Sequence, residues 1–182
     1  MKHLQRKQLS TTILLAFLIS FSGTTQTIDT DQSKVEFKIK NLVINTVKGS
    51  FTGMQGSLNF DAVDLKNASF DVCIDASTVE TGIDKRDEHL RSEDFFAVSE
   101  YPEICFTSTS ITKTASGFST TGTLKMHGVE KEKTIPFTKN GNTLEGTFTL
   151  NRLEFNVGKN IGSFTADEDV EVTITCVMNQ PN

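Results

Sequence analysis

The chain has 182 residues, a formal charge of −5 and 36% hydrophobic residues, enough for one domain with a real core. Clustered cations draw proteins to phosphate backbones, and an acidic chain with no lysine or arginine stripe beyond its first residues excludes nucleic-acid binding. The same balance disfavours attraction to anionic lipid surfaces.

Residues 1–23 read as a cleavable export signal. Lys2, His3, Arg6 and Lys7 precede the apolar run Ile13-Leu14-Leu15-Ala16-Phe17-Leu18-Ile19, and the small residues Ser20, Ser22 and Gly23 follow. A bilayer-spanning helix needs about 20 apolar residues, so this run is too short to stay as an anchor. The expected product is a single domain, residues 24–182, periplasmic or secreted and without stable membrane insertion. Losing Lys2, Arg6 and Lys7 takes the formal charge from −5 to −8.

From there the chain alternates with period two, the pattern of half-buried strands. Val35, Phe37 and Ile39 alternate with Glu36, Lys38 and Lys40. Val47, Gly49, Phe51 and Gly53 hold one phase and Met54, Gly56, Leu58 and Phe60 the other, which predicts a bulge or sharp bend between them. Phe70, Val72 and Ile74 continue, then Ile104 and Phe106 after Pro102. Ser116-Gly117 precedes a strand over Phe118–Met126 with Phe118, Thr120, Gly122, Leu124 and Met126 inward. Ile135 and Phe137 run into Asn140-Gly141, a two-residue hairpin signal, and Leu144, Gly146, Phe148 and Leu150 return from it. Leu153, Phe155 and Val157 read as a further strand before Val170, Val172, Ile174 and Cys176.

Short antiparallel strands must hide their edges, and closure does this fully. The expected fold is all-β: an antiparallel closed barrel of about eight strands with one short helical insertion. A barrel of that size is filled by its own side chains or holds one small ligand. Twelve of the fourteen phenylalanines follow residue 23, apolar surface with no polar tip to satisfy. Inward Gly49, Gly53, Gly122 and Gly146 either leave volume unfilled or relieve crowding where strands coil.

The helical insertion is Thr81 to Phe96. Asp84 can cap it, Asp87 and Arg91 stand at i, i+4 with the acid first, and Arg86 and His89 share a neighbouring face. Two readings stay open. The turn pairs its ions internally above Phe95 and Phe96 as core plugs, or Arg86, Arg91 or His89 meets a polar or anionic ligand head, which arginine suits by its forked donors. Three cysteines cannot form a complete internal disulfide set. Cys73 and Cys105 fall opposite their strands' large apolar residues while Cys176 shares their face, so Cys73–Cys105 is the expected pair. His89 and His127 lie far apart without a second ligand at helical spacing, so neither a metal centre nor a catalytic group is assigned.

The segment Arg86-Asp87-x-His89-Leu90-Arg91-Ser92-x-Asp94-Phe95-Phe96 is the most specific part of a resemblance running from about Thr27 to Met178. Asp31-x-Ser33-x-Val35-x-Phe37, Val47-Lys48-Gly49-x-Phe51, Ser77-Thr78-Val79-x-Thr81-Gly82, Tyr101-Pro102-x-Ile104-x-Phe106, Gly122-x-Leu124-x-Met126-x-Gly128-Val129 and Asn151-Arg152 complete it. The chain resembles the YceI-like proteins, a lipid- or polyisoprenoid-binding family of exported β-barrels. That resemblance implies a lipocalin-like barrel and a non-enzymatic carrier of an isoprenoid or other long-chain lipid, of polyprenyl phosphate or quinone type, with no other cofactor. It implies a tunnel walled by Phe37, Phe51, Phe106, Leu124, Phe148 and Phe155, with Arg86, Asp87, His89, Arg91, Phe95 and Phe96 at its mouth. A homodimer is compatible with it. The rival readings are a small enzyme using His89 or a nearby acid as base, and a filled barrel whose acidic surface meets a protein partner.

Overall fold

Alternation of apolar and polar residues gives nine antiparallel strands among the described residues: β1 (Lys34–Asn41), β2 (Asn45–Phe51), β3 (Gln55–Asn59), β4 (Ser69–Asp75), β5 (Glu103–Thr114), β6 (Gly117–Met126), β7 (Val129–Asn140), β8 (Thr143–Asn151) and β9 (Ala166–Val177). One helix, α1 (Asp84–Arg91), lies between β4 and β5. The computed structural model describes residues 26–41, 45–162 and 165–179, so the expected export signal lies outside the described residues.

All nine strands form one sheet in the order β2-β1-β9-β8-β7-β6-β5-β4-β3. Its two edge strands are therefore consecutive in sequence. Laid flat, eight spacings of about 4.8 Å would hold those edges roughly 38 Å apart. The link Thr52-Gly53-Met54 gives four Cα steps from Phe51 to Gln55, a reach of at most about 14 Å. The sheet must curl until its edges meet at that corner. Gly53 turns the link with φ +73°, the bend that the change of phase predicted. The expected closed barrel of about eight strands is thus corrected to nine strands in a barrel-like curl, with no ladder between β2 and β3 among the described residues. Three other pairings bridge the gap. Gln26 and Ile28 pair with Leu58 and Met178, and Ser50 pairs with Glu80.

Turn chemistry follows the backbone each position needs. His127 and Gly128 join β6 to β7 with φ of 50° and 72°. The β7–β8 reversal falls at Gly141-Asn142, one residue beyond the expected Asn140-Gly141, with the left-handed conformation at Gly141 alone. The strand expected over residues 153–157 is a 3-10 turn, Arg152–Phe155. Asn151 Oδ1 accepts from the Leu153 amide at 2.9 Å and Asn156 takes φ +58°, which curls the chain away from the ladder.

Inward Gly49, Gly122 and Gly146 relieve crowding and hold no space open. A Cβ on Gly49 would stand 2.3 Å from the Phe37 ring, and one on Gly122 would stand 2.3 Å from the Thr107 carbonyl. Cys73 and Cys105 are directly opposite on β4 and β5 and bonded to each other, while Cys176 is free and buried. Burial pushes the Cys176 thiol up to about 11. The Cys73–Cys105 link has a sequence separation of 32, for which loop entropy predicts about 3.7 kcal/mol of stabilisation. Reduction of the purified protein is expected to add two hydrogens to its mass and to lower the denaturant midpoint accordingly.

Candidate functional site

Along each strand the inward side chains change role from one end to the other. Val72 and Ile74 on β4, Ile104 and Phe106 on β5, Leu124 and Met126 on β6, Phe148 and Leu150 on β8, and Val172 and Ile174 on β9 face a cavity of about 360 Å³. This lies towards the low end of the ~300–1,000 Å³ typical of small-molecule sites. Across the cavity stand Phe37 and Phe51, their rings 5.6 Å apart, and Phe96 meets Phe51 edge-on at 5.2 Å. The interior is therefore not filled throughout, contrary to the filled-barrel reading. His89 and Thr165 are the exposed members of the lining, so the cavity reaches the surface beside them.

At that opening sits α1, and its charges are spent mostly on holding it there. Asp84 is the first helical residue and not the cap; Ile83 occupies the cap without a side-chain hydrogen bond. The expected Asp87–Arg91 ion pair does not form. Arg91 instead donates Nε to the Ser77 carbonyl at 2.7 Å and Nη2 to the Val79 carbonyl at 2.6 Å, tying the helix to the turn after β4. The Thr81 hydroxyl accepts from Arg86 Nε at 2.7 Å and donates to Asp87 Oδ1. Asp87 is 1% exposed, and its Oδ2 has no hydrogen-bond partner among the described residues. Burial works against its charge, but the Thr81 donors and the Arg91 charge outweigh it and hold its carboxyl below the ordinary value. His89 Nε2 lies 3.1 Å from Asp94 Oδ2, with its ring edge-on to Phe95 at 5.0 Å.

Nine of the twelve expected ligand-site residues line the cavity: Phe37, Phe51, Arg86, His89, Phe95, Phe96, Phe106, Leu124 and Phe148. Asp87 and Arg91 lie behind the opening as anchors. Phe155 is fully buried in the wall, under Lys133 at 5.7 Å from its ring centroid. The stretch that contains the whole arrangement, residues 26–178, matches the family model of the YceI-like domain. The chain belongs to the YceI-like family.

Relatives agree in extent as well as in sequence. The UPF0312 protein YE1254 of Yersinia enterocolitica is 32% identical over 151 residues, 78% of each chain. Among solved structures, Burkholderia cenocepacia BcnA superposes with a TM-score of 0.75 at 25% identity, covering 84% of this chain and 99% of its own. A Saccharophagus degradans domain described as polyisoprenoid binding, and as implicated in plant cell wall breakdown, superposes at 0.65. It is 16% identical, covers 86% of this chain and 98% of its own, and speaks to the fold alone.

In this YceI-like chain the wall residue that sequence reasoning missed is Arg152. It lines the cavity at 4% exposure and makes no salt bridge among the described residues. Its five donors are all used on carbonyls, those of Val157, Gly158, Ile161, Ala166 and Asp167, at 2.6–3.1 Å. Burial lowers its pKa and the nearby Glu168 and Asp167 oppose that, which leaves it charged at any working pH. The Asn151-Arg152 pair was legible as a motif, but nothing in its spacing tells which carbonyls surround it. The remaining polar lining, Asn41 and Thr165, borders the same end, and Asn41 Oδ1 is buried with no partner among the described residues.

Two outcomes follow for this end of the molecule. Arg152→Met is expected to lower unfolding free energy by about 3 kcal/mol in denaturant melts, because several buried carbonyls lose their donor at once. Asp87 stabilises the fold above the ordinary aspartate value near ~3.9 and loses that contribution as pH falls through its lowered folded value. Asp87→Asn should therefore flatten the acid limb of stability against pH below about 4.

Proposed function

We propose that this chain is an exported, non-enzymatic carrier that holds an isoprenoid or other long-chain lipid inside the curled sheet. The observation that carries the reading is the division of the cavity lining. Its walls are aliphatic and phenylalanine, while Arg86, His89, Asn41, Thr165 and Arg152 gather towards the open end and no carboxylate among the described residues lines it. An amphipath fits such a space in one direction. Each methylene-sized group taken from water contributes about 0.8 kcal/mol, with no directional contact required of the wall. The head then rests beside Arg86, which holds Thr81 through Nε and Nη2 and keeps Nη1 without a protein partner among the described residues. Polyprenyl phosphates and quinones both suit this layout. Passage to the periplasm or medium rests on residues 1–23.

Native mass spectrometry of protein purified from its own host tests the carrier reading. The expected spectrum shows an adduct of lipid mass that is released on denaturation. Empty protein across independent preparations would contradict it. Arg86→Ala is expected to keep the far-ultraviolet spectrum of the fold while reducing adduct occupancy several-fold.

A further inference from the structure

The cavity does not occupy the whole interior. Phe60, Phe70 and Phe137 are buried against one another, partly buried Phe118 packs on them, and none of the four lines the cavity. Phe118 stacks on Phe137 at 5.4 Å, Phe60 meets Phe118 and Phe137 edge-on at 5.1 and 5.4 Å, and Phe70 meets Phe137 at 5.4 Å. The boundary with this cluster is abrupt. On β7, Ile135 lines the cavity and Phe137, the next inward residue, belongs to the packed cluster. On β4 the same step runs from Val72 to Phe70. The Phe70 and Phe137 rings meet at 5.4 Å, so the two steps close the same end of the cavity.

We propose that this phenylalanine cluster is a ruler: Phe70 and Phe137 form a floor that sets how much of the bound lipid's tail the cavity can take. The inference rests on the carrier reading and adds to it the length of the tail. Interlocked aromatic rings pack as densely as any protein interior and cannot be displaced by a flexible tail without opening a cavity of their own size. A tail longer than the cavity must leave its end in water at the opening, where each further methylene contributes nothing to binding.

A chain-length series read by native mass spectrometry and by competition with a fluorescent fatty acid decides the matter. The probes are geraniol, farnesol, geranylgeraniol and a long polyprenol, each added to delipidated full-length mature protein. The expected affinity rises with the first members and then levels off or falls. In Phe137→Leu, and in Phe137→Ala where it folds, the longest bound member should shift upward by at least one step of the series. Affinity that keeps rising to the long polyprenol in the native protein overturns the ruler and leaves the carrier intact. An unchanged limit in folded Phe137→Leu and Phe70→Leu assigns the limit elsewhere and also overturns it. Failure of every probe to bind overturns the carrier reading, and the ruler with it.

Discussion

Two edge strands of a nine-stranded sheet are joined by three residues, and that short link dictates the rest of the molecule. Since β2 and β3 cannot separate, the ladder that runs the long way round between them has to curl, and one face of every strand becomes interior. Period-two alternation then acquires a spatial meaning it lacks in a flat sheet. Inward residues of strands distant in sequence face one another across a common space, and whether they touch depends on their size at each level. Where phenylalanines coincide at one level the interior closes; where aliphatic residues and the rings of Phe37, Phe51 and Phe106 line the circumference, it stays open.

The charged groups around the opening mostly build it. Arg91 and Arg152 spend their guanidinium donors on backbone carbonyls, and Asp87 spends its buried charge on Thr81. Such bonds fix irregular segments that no ladder can hold: α1 with its approach through Thr81, and the turn residues Val157, Gly158 and Ile161. A carbonyl facing the interior without a donor costs about 1–3 kcal/mol, so a buried guanidinium that satisfies five of them tolerates its own desolvation. Arg86 differs in facing the cavity with part of its donor set unused, which is why the head-group role falls to it and not to its neighbour at i+5.

Strand positions, inward faces and the bend before Met54 were legible because each depends on residues adjacent in sequence. Gly49 and Gly122 show the limit of that reading: a glycine on an inward face fits an empty interior and a crowded one equally well, and only the distance to the Phe37 ring or to the β5 backbone separates them. Leu153, Phe155 and Val157 alternate as a strand does, yet Asn151 and Asn156 bend the backbone and Arg152 gathers the turn around itself. The Asp87–Arg91 spacing suited a helical ion pair, but both side chains found partners off the helix with better geometry.

The sequence by itself determined an antiparallel sheet with one helical interruption, the family to which it belongs, and the phenylalanines and arginines gathered near its cavity, since these follow from local periodicity and motif. Tertiary structure alone decided that no ladder joins β2 to β3 among the described residues, that Arg152 belongs to the cavity wall, and that four phenylalanines pack together beyond the cavity. Each of those depends on which residues of remote strands reach the same level of a curled sheet, and register across nine strands is set by packing, not by any single stretch of chain.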